Sequence, residues 1–365
     1  MLQAYSASHV FTGYEWLTDQ VIVTDHEKIE SIVPKANFKS KIPITELGNA
    51  IIIPGFVDIQ VYGAGGKLLS AYPQADTLKL MHDEFLKTGT VLFQPTVATN
   101  TLEVFKQSID AVRTYWQNGG KGVAGIHLEG PWINEIKRGA HLKEWIHSPT
   151  IQEVKELLEY GKGVIRTITL APEKVSEEVI KLIQSYNIVI SAGHSNATYH
   201  EAMKGFQLGI PMATHLYNAM SALQHREPGL VGATMNSKNT VAAIIPDGHH
   251  VDFSAIQIAK KVMNERLFAI TDAVTETNVG PYQHHLNGDK YESNGILSGS
   301  AISMYQAFRN LIDKAAIEME EAQRMCSLYP AKAIKLEKKY GQIAVGFTTP
   351  LVVLDRNLVY KQIIN

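Results

Sequence analysis

Eight short runs of apolar, largely β-branched residues recur along the middle of this 365-residue chain, at 55–61, 91–97, 123–129, 165–171, 188–194, 212–216, 241–246 and 267–272. Runs of this length and apolarity read as strands buried on both faces. The segments between them carry helical spacing instead, as at Leu78, Met81, Phe85 and Leu86, or at Val179, Ile180 and Ile183. Parallel neighbours need a crossover of that kind. Eight successive βα units therefore predict an α/β fold, a (β/α)8 barrel of the TIM type. Shorter β-rich pieces at 20–23, 50–53 and 341–359 flank it. Two sequence-distant ends that are both strand-like can pair, so a small β-sandwich domain is expected from residues 1–50 and 335–365, with the barrel over 51–334.

The composition narrows the function. With 45% hydrophobic and 19% charged residues the chain can bury a large core, and a net charge of −2 gives no basic surplus for nucleic acid or an anionic membrane. Small-molecule chemistry is the default. The single cysteine, Cys326, lies in a helical pattern at 320–328 and reads as a small buried hydrophobe that forms no intrachain disulfide. The start, MLQAYSASHVF, lacks a basic segment followed by a long apolar run, and no stretch reaches the roughly 18 apolar residues of a membrane span. A cytoplasmic protein is expected.

In a barrel of this type, working residues sit where strands end and loops begin at the C-terminal face. Strand three ends in GIHLEGPW, strand five in ISAGHSNA, strand six in ATHLYNAM and strand eight in AITDAV, which puts Glu129, His194, His215 and Asp272 at the barrel mouth. Two neutral imidazoles and a carboxylate suit a borderline divalent ion such as Zn²⁺ with one position open to water. Asp272 then stands where a general base and acid is needed. A lone histidine at a strand end is usually a hydrogen-bonded structural residue, and a lone aspartate there usually a cap. Four such residues at four separate strand ends favour a site.

The segments HLEGPWIN, KRGAH, SAGHSNAT, THLYNAM, REPGLVG, DGHHVD, TDA and LSGS occur in the order seen in the N-acetylglucosamine-6-phosphate deacetylases of the amidohydrolase superfamily, which the chain resembles from PGFVDIQVYGAGG at Pro54 to LYPAKAI at Leu328. The closing GQIAVGF and LVVLD resemble that family's return into its small β domain. The resemblance implies metal ligands at Glu129, His194 and His215, a catalytic aspartate at Asp272, and His141 steadying the carbonyl. It implies sugar contacts from Ala140, Asn218, Ala219, Asp247, His250, Leu297, Ser298 and Gly299, and a phosphate contact from Arg226, often made in the neighbouring subunit of a homodimer. Read without it, Arg226 is a solvated loop charge.

Many amidohydrolases carry His-x-His at the end of strand one to hold a second ion. Here the position reads Gln60-Val61-Tyr62, and strand four, IRTITLAPE, has no lysine to be carboxylated, so one ion per subunit is expected, Zn²⁺ or Fe²⁺. Some members of the family read Gln-x-Asn here, so Gln60 is familiar, while Tyr62 departs from it and leaves open a changed pocket wall. Of the adjacent His249 and His250, only one can face the pocket. Trp132 with the following INEIKRGA is either a lid or a loop packed on the rim, and Gly65 and Gly66 read as a turn. The expected reaction is metal-dependent deacetylation of N-acetylglucosamine-6-phosphate. The alternatives are the same reaction on the galactosamine epimer, hydrolysis of another small N-acyl compound, and a non-catalytic scaffold.

Overall fold

A computed structural model of the chain describes residues 2–293 and 295–365. The apolar runs form one parallel sheet of eight strands, β1 (Phe56–Val61), β2 (Thr90–Ala98), β3 (Ile126–Glu129), β4 (Ile165–Leu170), β5 (Val189–Ala192), β6 (Met212–Ala213), β7 (Val241–Ile244) and β8 (Leu267–Ala269), paired in chain order. The chain beyond β8 returns to β1: the Asp272 N–H donates to the Gln60 carbonyl at 3.0 Å and the Tyr62 N–H to the Ala273 carbonyl at 2.9 Å. These bonds nearly close the sheet into a cylinder. Every residue of β1 and β3 is buried, because the barrel interior covers one face and helices the other. Helices Ala75–Leu86 and Glu177–Ser185 bury the Leu78/Met81 and Val179/Ile180/Ile183 faces that the spacing predicted. Cys326 is buried just past helix Met319–Met325.

The chain ends form a second sheet of seven strands. Leu2–Phe11, Trp16–Asp25, Lys28–Pro34, Ile44–Glu46 and Ile51–Pro54 come from the first part of the chain, and Leu351–Leu354 and Tyr360–Ile364 from the last. Ile51–Pro54 lies between Leu2–Phe11 and Leu351–Leu354, so the expected boundary at residue 50 moves to Pro54. The reason is alternation: Ile52 packs into the small-sheet cluster while Ile53 packs into the barrel core. Gly55 follows, and a Cβ there would lie 2.5 Å from the Val91 methyls, so only glycine lets the chain pass from one sheet to the other this closely.

Gly65 and Gly66 form the expected turn, inside a short hairpin after β1. After β8 the chain makes an excursion that the sequence reading did not anticipate, a three-stranded antiparallel sheet of His285–Asn287, Lys290–Ser293 and Ile296–Ser300. Among the described residues, no helix is long and apolar enough to cross a membrane.

Candidate active site

Glu129 closes β3 as a regular strand residue, but the other three mouth residues are delivered by turns. Regular strand stops at Ala192, Ala213 and Ala269, and His194 (φ 47°), His215 (φ 34°) and Asp272 (φ 55°) then enter the left-handed region. The expected strands through 188–194, 212–216 and 267–272 are therefore too long, since strand backbone has no left-handed residue. For non-glycine residues that conformation costs on the order of 1 kcal/mol or more each.

The turns gather the side chains around one carboxylate. Oε1 of Glu129 lies 3.3 Å from His194 Nε2 and 3.2 Å from His215 Nε2, and the two ring nitrogens are 3.0 Å apart. Ligands held about 2.0–2.1 Å from a tetrahedral ion stand about 3.3–3.4 Å from one another, so these three atoms are spaced as one face of such a site. Glu129 is fully buried, and His194 and His215 are nearly so. His194 Nδ1 lies 2.9 Å from the Lys137 carbonyl, an acceptor only, so Nδ1 carries the proton and Nε2 presents its lone pair. The donor chemistry fits a divalent ion of zinc type.

A third imidazole stands on the other carboxylate oxygen, His141 Nε2 at 3.3 Å from Oε2. Glu129, His141 and His194 place possible ligand atoms within 4.8 Å of one another. The Thr99 backbone N–H approaches His141 Nδ1 at 3.3 Å. That makes Nδ1 an acceptor and leaves the proton on Nε2, which suits His141 better to donating than to coordinating.

Two carboxylates share this pocket with opposite acidities. Burial alone would raise Glu129, but the surrounding imidazoles, His194 first and then His141 and His215, hold it well below the usual carboxylate range. Burial, and then the charge on Glu129, push Asp272 well above it. Burial lowers His141 to about 4 and also lowers His215. Gln60 Nε2 spans the two acids, 2.9 Å from Glu129 Oε1 and 2.7 Å from Asp272 Oδ1.

Most of the expected contacts fall on the same cavity: Ala140, His141, Asn218, Ala219, His250, Leu297, Ser298 and Gly299 line it together with the four mouth residues. Gly299 has φ 75°, and a Cβ there would lie 2.8 Å from the Asp272 carbonyl oxygen, so the wall beside the aspartate requires glycine. Asp247 stands apart from these. It does not line the cavity but sits behind His250, 2.5 Å from its Nδ1, and accepts the backbone N–H groups of His249 and His250 at 2.9 and 2.8 Å. His250 alone of the pair lines the cavity, while His249 reaches Asp289 at 2.9 Å. Arg226 is exposed and outside the cavity of its own chain. Trp132 is 1% exposed and donates to Glu153 at 3.0 Å, so it packs within the rim rather than covering the mouth.

Three residues escaped the sequence reading. Tyr282 and His284 line the cavity, the latter with Nδ1 2.9 Å from the Ser298 hydroxyl. Nothing in their spacing marks them. Glu173, just past β4, accepts the Ser195 hydroxyl at 2.7 Å, the Asn196 N–H at 2.8 Å and the Asn134 amide at 2.9 Å, fixing both segments that flank His194. Its signal was an acidic residue at one more strand end.

A sequence model described as the amidohydrolase family matches residues 51–364. An N-acetylglucosamine-6-phosphate deacetylase of Haemophilus influenzae is 32% identical over 95% of this chain and 94% of its own. An N-acetylgalactosamine-6-phosphate deacetylase of a Shewanella species is 35% identical over 86% of this chain and 81% of its own. The crystal structure of N-acetylglucosamine-6-phosphate deacetylase from Pasteurella multocida superposes with a TM-score of 0.93 at 32% identity, covering 99% of this chain and 97% of that one.

Proposed function

The chain belongs to the amidohydrolase family, and from that premise we propose that it removes the acetyl group of N-acetylglucosamine-6-phosphate, giving glucosamine-6-phosphate and acetate. The observation that carries the reading is the convergence of Glu129 Oε1 and the Nε2 atoms of His194 and His215 within 3.0–3.3 Å of one another, with Asp272 in the same cavity. Those three atoms would hold one divalent ion, Zn²⁺ in our reading and Fe²⁺ by the same donor chemistry. Bound there, it supplies Lewis acidity toward the amide carbonyl and the attacking water.

The chain's own groups account for the proton movements. Asp272 Oδ1 is held by Gln60 and lies 3.3 Å from the Tyr62 hydroxyl, whereas Oδ2 has no partner among the described residues and is free to take a proton from water. As the water oxygen bonds to the acetyl carbon, that proton passes to Asp272 and then to the sugar nitrogen, and the C–N bond breaks. A carboxyl whose acidity is weakened by burial is suited to the second transfer. His141, with its proton on Nε2, donates to the carbonyl oxygen as negative charge develops there. His250 and the backbone of Ala140 and Ala219 orient the sugar.

Arg226 cannot serve its own cavity from its exposed loop, and we assign it to the phosphate in the partner subunit of a homodimer. A cytoplasmic setting follows from the phosphorylated substrate. The same chemistry on the galacto epimer is the second reading, favoured by the 35% identity to the Shewanella enzyme. The test is acetate release from N-acetylglucosamine-6-phosphate, its galacto epimer and unphosphorylated N-acetylglucosamine, with and without Zn²⁺. Metal-dependent turnover of the phosphorylated gluco sugar supports the proposal; preference for the galacto sugar shifts it to the second reading; no turnover of any of the three refutes both.

A further inference from the structure

Tyr62 immediately follows β1, and its phenol reaches the centre of the site. Its hydroxyl donates to Oε2 of Glu129 and lies 3.1 Å from Gln60 Nε2 and 3.3 Å from Asp272 Oδ1. A phenol has one proton to give. The two N–H groups of the Gln60 amide are taken by the nearer acceptors, Glu129 Oε1 at 2.9 Å and Asp272 Oδ1 at 2.7 Å. The phenol proton therefore goes to Oε2.

The carboxylate is thus divided between two kinds of neighbour. Oε1 faces the lone-pair side of His194 and the ring of His215. Oε2 accepts the Tyr62 hydroxyl, with His141 Nε2 3.3 Å away and its proton kept for the substrate. A carboxylate oxygen already engaged by a proton donor has less left for a cation, and the residues behind a ligand set how it is presented. Resting on the reading that Glu129, His194 and His215 hold an ion, we propose that Tyr62 is a positioning residue that pins Oε2, so that Glu129 offers the ion one oxygen rather than two. One oxygen keeps a coordination position open for the reaction; two would fill it. The tyrosine that departs from the family pattern is in this view a part of the metal site. The ring packs in a cluster with Leu68, Val274 and Tyr282, so phenylalanine preserves the packing and deletes the hydroxyl alone.

The test uses the full chain, stripped with chelator and reloaded with Co²⁺, unmodified and as Tyr62→Phe. Cobalt per chain, visible absorption per bound cobalt, and kcat and KM on N-acetylglucosamine-6-phosphate are measured, with thermal melting to check the fold. Both proteins are expected to bind one cobalt. In Tyr62→Phe the absorption per cobalt falls, because a carboxylate free to bind through both oxygens raises the coordination number and four-coordinate cobalt absorbs most strongly. The kcat falls roughly 10–100-fold, the usual effect of removing a ligand's hydrogen-bond partner, with KM little changed. An unchanged spectrum per bound cobalt overturns the proposal whatever the rate does. Failure of the unmodified chain to bind cobalt removes the site assignment itself, and this proposal with it.

Discussion

Asp58 lies inside β1, 3% exposed, one turn of the pleat below Gln60. Its Oδ2 accepts the Thr271 hydroxyl, and its Oδ1 accepts the backbone N–H groups of Thr271 and Gln60, both at 3.3 Å. Burial outweighs those bonds and pushes the carboxyl from 3.8 up to about 6. Between about pH 4 and pH 6 the folded chain therefore keeps a proton that the unfolded chain releases. The stabilisation is complete below about pH 4 and is lost as pH rises through 6. The shift of about 2 units, at 1.36 kcal/mol each, makes that loss about 3 kcal/mol. Asp58→Asn cannot ionise, and its amide meets the same neighbours: the oxygen accepts both N–H groups, and the NH₂ donates to the Thr271 oxygen, which also accepts the Ala273 N–H at 3.1 Å. The variant should gain about 3 kcal/mol on the unmodified chain between pH 4 and 7. At roughly 2.1 cal/mol/K of unfolding entropy per residue, that is about 4 °C in Tm for a chain of this length. Melting both proteins after dialysis against chelator, so that no bound cation contributes charge, measures the difference directly. A Tm difference that stays flat from pH 4 to 7 would refute the assignment of a buried, neutralised Asp58.

Asp272→Asn should lower turnover by about 10²–10⁴-fold, the usual share of a general acid–base, while mass spectrometry finds the same metal content as in the unmodified chain. Arg226→Ala should raise KM for the phosphorylated sugar by about 10- to 100-fold, the equivalent of a charged hydrogen bond, and leave the unphosphorylated sugar unaffected. Mixing Arg226→Ala chains with Asp272→Asn chains should then restore part of the activity, since hybrid dimers contain one complete site; a mixture as inactive as its components would exclude the shared arrangement. Glu173→Ala frees both segments beside His194, and calorimetric titration should show Zn²⁺ binding weakened about 10–100-fold.

The barrel was readable because burial on both faces writes itself as continuous apolar runs, and the ends of those runs located Glu129, His194, His215 and Asp272 before any coordinates. Where strands stop was not readable. His194, His215 and Asp272 lie beyond the regular strands in left-handed backbone that few residues other than glycine adopt, and no spacing in the sequence marks where it begins. The small sheet following β8 was missed for the opposite reason: His285–Asn287 is exposed throughout and Lys290–Ser293 half-buried throughout, so neither shows the alternation that marks a strand. Tyr62 was visible as a departure from the family pattern, but its reach to Glu129 depends on how β1 and β3 sit across the barrel, a tertiary fact. That Asp247 lies behind His250, bonded to its ring and backbone, was likewise not legible, because it depends on how the turn after β7 folds.

The left-handed backbone at the three strand ends sets conformation against chemistry. Glycine at 194, 215 or 272 would relax a conformation that histidine and aspartate hold at a cost on the order of 1 kcal/mol or more apiece. The same change would strip the groups that face Glu129 and Gln60, so backbone ease and chemistry pull in opposite directions at each of the three positions.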